Sequence, residues 1–530
     1  MRILKVNIIL FLILLVGFAL RIYRISSVPP SLGNDEISIA YDAYSVINIG
    51  KDSNDAFLPL SFKSHGEYKA PLYIYVAGPF VKILGNNEIA VRLPSVIFGT
   101  LTILGIYLLV KKLRLGENTA LFSAFLLAIT PWHVYTSRIA LESNLALFFL
   151  VFGALYFLKG IEKGKYLFLS SILLALSLYA YHTEWVFVPL IMIFSSFLYW
   201  KNIVNKKRLV YWWLIFLALI PPLLINAFFG QGGVRAGNEF ILKDFVLQNQ
   251  LSGVLNIFSR LFIIFSFWLE KYLSYTNLGY IFTNGLDVSA GYGISDFGLL
   301  NILQLPLVLL GILYIAKHIR EKSTLYILFW ILVAPLISSL TEGEPNLVRN
   351  LISVIPLTVL SSWGLVWIWE RWGSKRLMGL AITILIFNFA FFYRYYITQF
   401  PYHFAERWTY GFKQIAQYIG QNKGKYNQIY IDPRFGVVNN SFVGVPSLYV
   451  LYFNREDPQA FLNTKYKNID QFSFLKYTVK NIDWTTEEID KGSLYIVSSH
   501  SIPLKRQNMK EIYTIKLPDG TIAFRFFQSY

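Results

Sequence analysis

The 530-residue chain contains no cysteine, and only 15% of its residues are charged. The first absence excludes disulfides, cysteine-ligated zinc, iron–sulfur clusters and thiol catalysis. The second sets the chain apart from soluble globular proteins, in which about a quarter of residues are charged. Histidine is scarce as well: six residues are scattered singly, with no pair at metal-ligand spacing. No internal repeat or low-complexity tract stands out. What is abundant is apolar. Hydrophobic residues make up 55% of the chain and aromatic residues 17%, which excludes disorder. The charge balance, 48 Lys+Arg against 31 Asp+Glu, is +17. Such a balance can attract nucleic acid, so the placement of the basic residues has to decide.

The apolar residues fall into long runs. The first is Val6 to Leu20, preceded by Arg2 and Lys5 and followed by Arg21 and Arg24 without a small-residue cleavage site, so it reads as an uncleaved span. Further runs lie at about 91–110, 117–133, 142–158, 166–182, 184–200, 209–229, 300–316, 324–340, 350–369 and 377–397. Judged against the ~20 residues of a bilayer crossing, they predict roughly eleven transmembrane helices. The short connections alternate in charge. Lys111, Lys112 and Arg114; Lys159, Lys163 and Lys165; Lys201, Lys206, Lys207 and Arg208; Lys317, Arg320 and Lys322; and Arg371, Lys375 and Arg376 lie on one side, while the alternate short loops carry only Arg138 and Arg349. This is the positive-inside pattern. It predicts a multi-pass membrane protein with a cytoplasmic N-terminus and an extracytoplasmic tail, and the lack of an added lectin-like module makes a prokaryotic plasma membrane the expected location. It also assigns much of the basic excess to topology, so no nucleic-acid partner is expected.

The expected architecture is mainly α. Residues 1–400 form a transmembrane domain with outer loops at about 24–90 and 230–299, and 401–530 form a small α/β domain on the same side. In the first loop Asn34 or Asp35 can cap a helix carrying Ile37, Tyr41, Tyr44 and Ile47, and Pro71 opens a second, Leu72 to Leu84. Both are expected to lie along the membrane surface. In the tail, Phe412 to Tyr418 has helical spacing, Gln428 to Asp432 and Ser493 to Ser499 read as strands, and Pro518-Asp519-Gly520 joins a hairpin. The tail shows no phosphate loop, dinucleotide fingerprint or zinc spacing.

Ionisable residues beside a membrane are costly and often functional. Asp35 and Glu36 form an acidic pair after the first span, and Glu142 follows in the next outer loop, at the start of a span. One carboxylate can act as general base for an acceptor hydroxyl while another tunes it. The structural alternatives are that Asp35 caps a helix and that Glu142 is an N-terminal acid favoured by the helix dipole. Lys69 can hold a phosphate as a point charge or touch lipid head groups. Arg92 can serve a substrate or snorkel. Arg138 and Arg349 stand in loops otherwise free of basic charge, which suits an anion site or an ion pair with Glu342 or Glu344. His182 is a candidate ligand or a satisfied interfacial residue.

The order of these features resembles the membrane glycosyltransferases of the GT-C type, in the branch of the protein O-mannosyltransferases and the lipid A aminoarabinose transferase. The match rests on Asp35-Glu36 after the first span, Lys69-Ala70-Pro71, Arg92-Leu93-Pro94-Ser95, Tyr135-Thr136-Ser137-Arg138 leading to Glu142, Leu305-Pro306, and the Thr341-to-Arg349 loop. It covers roughly residues 1–415. The resemblance implies inverting transfer, at the outer face, from a polyprenyl-phosphate-linked sugar to a hydroxyl on a protein, a glycolipid or a carrier lipid. It implies Asp35 as general base with Glu36 as partner, Glu142 at a position where aspartate is more usual, and Lys69 and Arg349 at the donor phosphate. Asn346 stands where relatives often carry histidine and receives no role. A monophosphate leaving group neutralised by Lys and Arg requires no catalytic metal, and no cofactor is expected. The competing readings are a transporter or flippase, a metal-dependent oligosaccharyltransferase-like enzyme using a diphosphate-linked glycan, and an inactive scaffold.

Overall fold

The computed structural model describes residues 2–64, 67–203, 206–286, 294, 296–435, 437–438, 441–442, 444–464, 472–474, 476–501 and 508–530. The chain divides into two compact units. One comprises Met1–Tyr23, Tyr68–Tyr73 and Ser95–Tyr393; the other comprises Arg24–Glu67, Ile74–Pro94 and Arg394–Tyr530.

In chain order the helices are α1 (Arg2–Ile22), α2 (Asn34–Ile49), α3 (Leu72–Leu84), α4 (Glu88–Lys112), α5 (Glu117–Ala128), α6 (Pro131–Thr136), α7 (Glu142–Glu162), α8 (Lys165–Ala180), α9 (Glu184–Tyr199), α10 (Lys206–Leu219) and α11 (Pro221–Phe228). They continue as α12 (Val234–Asn238), α13 (Phe245–Leu251), α14 (Ile257–Ser274), α15 (Leu305–His318), α16 (Lys322–Ser338), α17 (Val354–Trp372), α18 (Lys375–Thr398), α19 (Phe400–His403), α20 (Phe412–Asn422), α21 (Pro446–Phe453) and α22 (Pro458–Leu462).

All of the apolar runs fold as helix, but they are not equally long. Among the described residues five helices, Leu4–Ile22, Glu88–Lys112, Glu142–Glu162, Leu351–Trp372 and Lys375–Thr398, are long and apolar enough to cross a membrane. A sixth crossing is added if α10 and α11 are one span bent by 44°. The bend falls at Pro221 and Pro222, where a missing N–H and the proline ring interrupt the helix. Other runs form helices of 10–17 residues, among them α8, α9 and α16. The expected eleven crossings are therefore not reached on length and composition.

Within the helical unit, close packing replaces the hydrophobic drive that lipid cannot supply. A Cβ on Gly311 would lie 2.2 Å from the Leu360 carbonyl oxygen, and one on Gly364 would lie 2.2 Å from that of Leu307. α15 and α17 approach that closely only because both positions are glycine. Hydroxyls add direct bonds between helices: Ser123 to Ser362 at 2.8 Å, and Ser171 to the Trp212 carbonyl at 2.7 Å. In the second outer loop α14 packs Ile263, Ile264, Phe267 and Trp268 against Ile241, Leu247 and Leu251.

The other unit is built around a six-stranded sheet. Strands β1 (Phe62–Ser64) and β2 (Glu67–Lys69) belong to the first loop. β4 (Val437–Val438) and β5 (Ser441–Phe442) pair separately. The sheet holds β3 (Ile429–Ile431), β6 (Phe472–Phe474), β7 (Tyr477–Val479), β8 (Leu494–Ser498), β9 (Met509–Lys516) and β10 (Ile522–Ser529), in the order β6-β7-β3-β8-β10-β9. β3 runs parallel to β7 and β8, whereas β10 is antiparallel to β8 and β9. The β9–β10 turn closes at Gly520, whose φ of +89° suits glycine, and the Asp519 carboxylate accepts from the Thr521 amide at 2.9 Å. α20 buries Phe412, Ile415, Ala416 and Ile419, an i, i+3, i+4, i+7 face.

α2 departs from expectation. On it Ile37, Ile39, Ala40, Tyr41 and Ala43 are all buried. Tyr41 meets Phe461 edge-on at 5.7 Å and Tyr44 meets Tyr452 at 6.4 Å, so α2 is an internal helix packed against the tail. Its N-cap is Gly33 rather than Asn34 or Asp35, with the Glu36 carboxylate reaching back to the Gly33 amide at 3.2 Å.

Candidate active site

The acidic pair splits into two environments. Glu36 is fully buried, and Asp35 is partly accessible on the first turn of α2. Arg92 donates from Nε to Glu36 Oε1 at 2.9 Å and from Nη2 to Oε2 at 2.6 Å. Its remaining donors reach the carbonyls of Ile25 (2.9 Å), Pro29 (3.0 Å) and Ser31 (2.5 Å). Five N–H groups thus meet five acceptors, which is the full capacity of a guanidinium. Arg92 was expected to face a substrate and Glu36 to assist Asp35. In the structure each is buried, and the two pair with each other.

The segment before Asp35 is held from the tail as well. Thr409 Oγ1 donates to the Leu32 carbonyl at 3.1 Å and lies 2.7 Å from the Tyr449 hydroxyl, which itself bonds to the Leu32 carbonyl. Residues 25–36 are therefore fixed by the start of α4 and by the tail together. Such over-determination suits a loop that presents a reactive group.

In the helical unit, Lys69 is buried at the end of β2, and Glu142 is buried at the first position of α7. Arg138 is buried too and donates to the carbonyls of Leu20 (2.9 Å) and Arg21 (3.0 Å), which join the α6–α7 connection to the end of α1. Arg21 repeats the pattern. It donates to the Gly17 carbonyl (2.8 Å) and the Ala128 carbonyl (3.2 Å), and lies 2.8 Å from His133 Nδ1. Two of the short sequence motifs meet here. Ser95 donates to the Thr136 carbonyl at 3.3 Å, and Asn144 donates to the Ser95 carbonyl at 2.9 Å.

Two other predicted residues share one cavity. His182 and Arg349 line a space of about 150 Å³ together with Tyr181, Thr183, Glu239 and Thr341. Arg349 pairs with Glu239 at 3.1 Å, not with Glu342 or Glu344, and donates to Thr341 Oγ1 and the Glu342 carbonyl, both at 3.0 Å. The Asn346 side chain accepts from the amides of Val348 (2.8 Å) and Arg349 (3.2 Å) and shapes that turn. Lys271 steadies the same loop through Asp244 (2.8 Å) and the carbonyls of Thr341 (3.1 Å) and Gly343 (2.9 Å). Burial alone would raise the Asp244 carboxyl, but the Lys271 ammonium and the amides of Gly343 and Val246 outweigh it and hold the group below its ordinary value.

Sequence reasoning missed Arg21, His133, Glu239, Asp244 and Lys271. The available signal was the same for several of them: a charge inside or beside an otherwise apolar stretch. Among the described residues no three His, Asp or Glu side chains are grouped as a metal site.

Residues 68–225 match the family described as dolichyl-phosphate-mannose-protein mannosyltransferase. A putative mannosyltransferase of Bacillus subtilis, YkcB, is 27% identical over 213 residues, which is 39% of this chain but only 28% of that protein. Two solved structures share the fold. ArnT from Cupriavidus metallidurans, bound to undecaprenyl phosphate, aligns over 99% of this chain and 97% of its own with a TM-score of 0.55 at 12% identity. The oligosaccharyltransferase AglB from Archaeoglobus fulgidus, in complex with an inhibitory peptide and a dolichol-phosphate, aligns over 85% of this chain and 63% of its own with a TM-score of 0.53 at 13% identity. The family match over residues 68–225, the apolar helices and the shared fold together liken this chain to the membrane glycosyltransferases of the GT-C type, in the branch of protein mannosyltransferases and aminoarabinose transferases.

Proposed function

We propose that this protein is an inverting glycosyltransferase that moves a sugar from a polyprenyl-phosphate-linked donor to an acceptor hydroxyl at the outer face of the plasma membrane. The observation that carries the reading is the division of labour in the acidic pair: Arg92 takes the buried Glu36, and Asp35 stands partly accessible on a loop fixed from both sides. In this reading Asp35 accepts the acceptor proton as its oxygen attacks the anomeric carbon, and the sugar–phosphate bond breaks with its electron pair leaving on the phosphate. Lys69 and Arg349 neutralise that phosphate, with Arg138 and His182 as further substrate-binding candidates, and Glu142 acts as the second carboxylate.

The solved relatives support the donor class, since one is described with undecaprenyl phosphate and the other with dolichol-phosphate. The basic loops support an N-terminus in the cytoplasm and a tail, about 401–530, outside it.

The test is an assay of purified protein in lipid with radiolabelled polyprenyl-phosphate sugars, with and without chelator, for wild type and Asp35→Asn. Chelator-resistant transfer that is lost in the variant is the expected result. Normal turnover by Asp35→Asn overturns the base assignment. Chelator-sensitive transfer points to a metal-dependent mechanism, and transport of a donor without its consumption points to a flippase.

A further inference from the structure

A second cavity shares no lining residue with the one around His182 and Arg349. It has a volume of about 380 Å³ and is lined by Ile9, Ile13, Asn118, Leu121, Phe122, Phe125, Trp369, Met378 and Ile382, from α1, α5, α17 and α18. Its walls are apolar apart from Asn118. Apolar cavities of less than half this size stay dry and take apolar ligands.

The position of the lining residues fixes which end of the helices the cavity occupies. Asn118 is on the first turn of α5, Trp369 is on the last turn of α17 and Met378 is on the first turn of α18. That end is where the basic loops lie. On α1 the lining pair Ile9 and Ile13 continues the i, i+4 stripe begun by Lys5. On α18, Met378 and Ile382 continue the stripe begun by Lys375 at i+3 and i+7. Lys5 and Lys375 are both exposed, one helical turn beyond the apolar walls, with Arg371 and Arg376 beside them. Of the nearby acids, Glu117 is paired with Lys111 at 3.0 Å, and Glu370 is turned about 100° around α17 from Trp369. The result is an apolar slot with a cationic rim on the membrane-spanning helices.

We propose that this slot holds an acyl chain of an anionic glycerophospholipid, with Lys5 and Lys375 at its phosphate. The apolar walls fit a hydrocarbon chain. The rim distinguishes an anionic headgroup from a zwitterionic one, because cationic side chains near a bilayer surface favour anionic lipids. The proposal is independent of the transfer reaction.

The experiment uses the full chain, purified in detergent and exchanged against equal amounts of phosphatidylglycerol and phosphatidylcholine, with retained lipid identified by native mass spectrometry. Wild type should keep phosphatidylglycerol. Lys5→Gln combined with Lys375→Gln should lower that preference roughly tenfold or more, and Leu121→Trp, which fills the slot, should abolish retention. Lys163→Gln, in the loop between α7 and α8, should change nothing. The double lysine variant alters only exposed positions, so its melting temperature without added lipid should match wild type. Equal retention of the two lipids overturns the proposal. So does undiminished retention in either variant, recovery of a polyprenyl phosphate in place of the phospholipid, or conversion of a dimer to a monomer by Leu121→Trp.

Discussion

Arg92 and Glu36 form a fully buried, two-bonded ion pair, and the remaining donors of Arg92 fasten the backbone of residues 25–31. Removing one partner leaves a buried charge without its counter-ion, which costs about 3–5 kcal/mol. Glu36→Gln and Arg92→Met should each lower the melting temperature sharply and lose transfer. The double change Glu36→Leu with Arg92→Met should recover part of the stability, because it removes both charges, yet not the activity. Equal melting of wild type and Glu36→Gln would contradict the pair's role.

Tyr449 and Thr409 both bond to the Leu32 carbonyl. Tyr449→Phe leaves Thr409 in place, so the loss should be that of one hydrogen bond, about 1 kcal/mol. Tyr449→Phe with Thr409→Val leaves the carbonyl without either hydroxyl and should cost more than the sum of the singles. A thermal-unfolding cycle over the four proteins measures the excess.

Gly99 on α4 faces Ser137, the residue before Arg138. A Cβ there would lie 2.3 Å from Ser137 Oγ and 2.6 Å from its Cβ. Gly99→Ala should destabilise by about 1–3 kcal/mol through overpacking. Adding Ser137→Gly removes the clash and should restore most of the loss in the same unfolding measurement.

Lys69→Ala should raise the KM for the lipid-linked donor more than that for the acceptor, as expected for a residue that binds the donor phosphate. Steady-state kinetics with each substrate varied in turn separates the two. An equal effect on both would argue for a purely structural lysine.

The Asp244 carboxyl lies below its unfolded value. A depressed acid contributes stability that is fully present above its unfolded value, near pH 4, and is lost as pH falls through the lower folded value. The stability difference between wild type and Asp244→Asn should therefore be constant from about pH 7 to 5 and shrink below about pH 4. Thermal unfolding across that range reads the difference, and a gap that widens in acid would reverse the sign of the argument.

Much of the helical layout was legible because a run of apolar residues is a local signal. Leu72–Leu84 and the β9–β10 hairpin fell where spacing and turn residues put them. The number of crossings was less legible, since composition marks apolar runs but does not say where proline or a short helix ends them. The burial of α2 was not legible for a related reason. Its residues Ser38, Asp42 and Ser45 look like a wet face, but all three are buried against other parts of the chain. Asp42 shows how: it accepts from the Ser53 amide at 2.9 Å, and that partner is eleven residues away.

What the sequence by itself determined is the class: an apolar, cysteine-free membrane protein with charge-sorted loops, an acidic pair after its first span and a small mixed tail. These follow from residue type and short-range spacing. Which carboxylate of the pair is taken by Arg92, which carboxylate Arg349 would have to release, and which lysines border an apolar slot were decided only by tertiary structure. The physical reason is that a guanidinium 56 residues from its carboxylate, or a Glu239 far from Arg349, leaves no periodic trace in the chain. Burial makes such pairs obligatory once the helices pack, because a charge removed from water must find its partner wherever the fold has placed it.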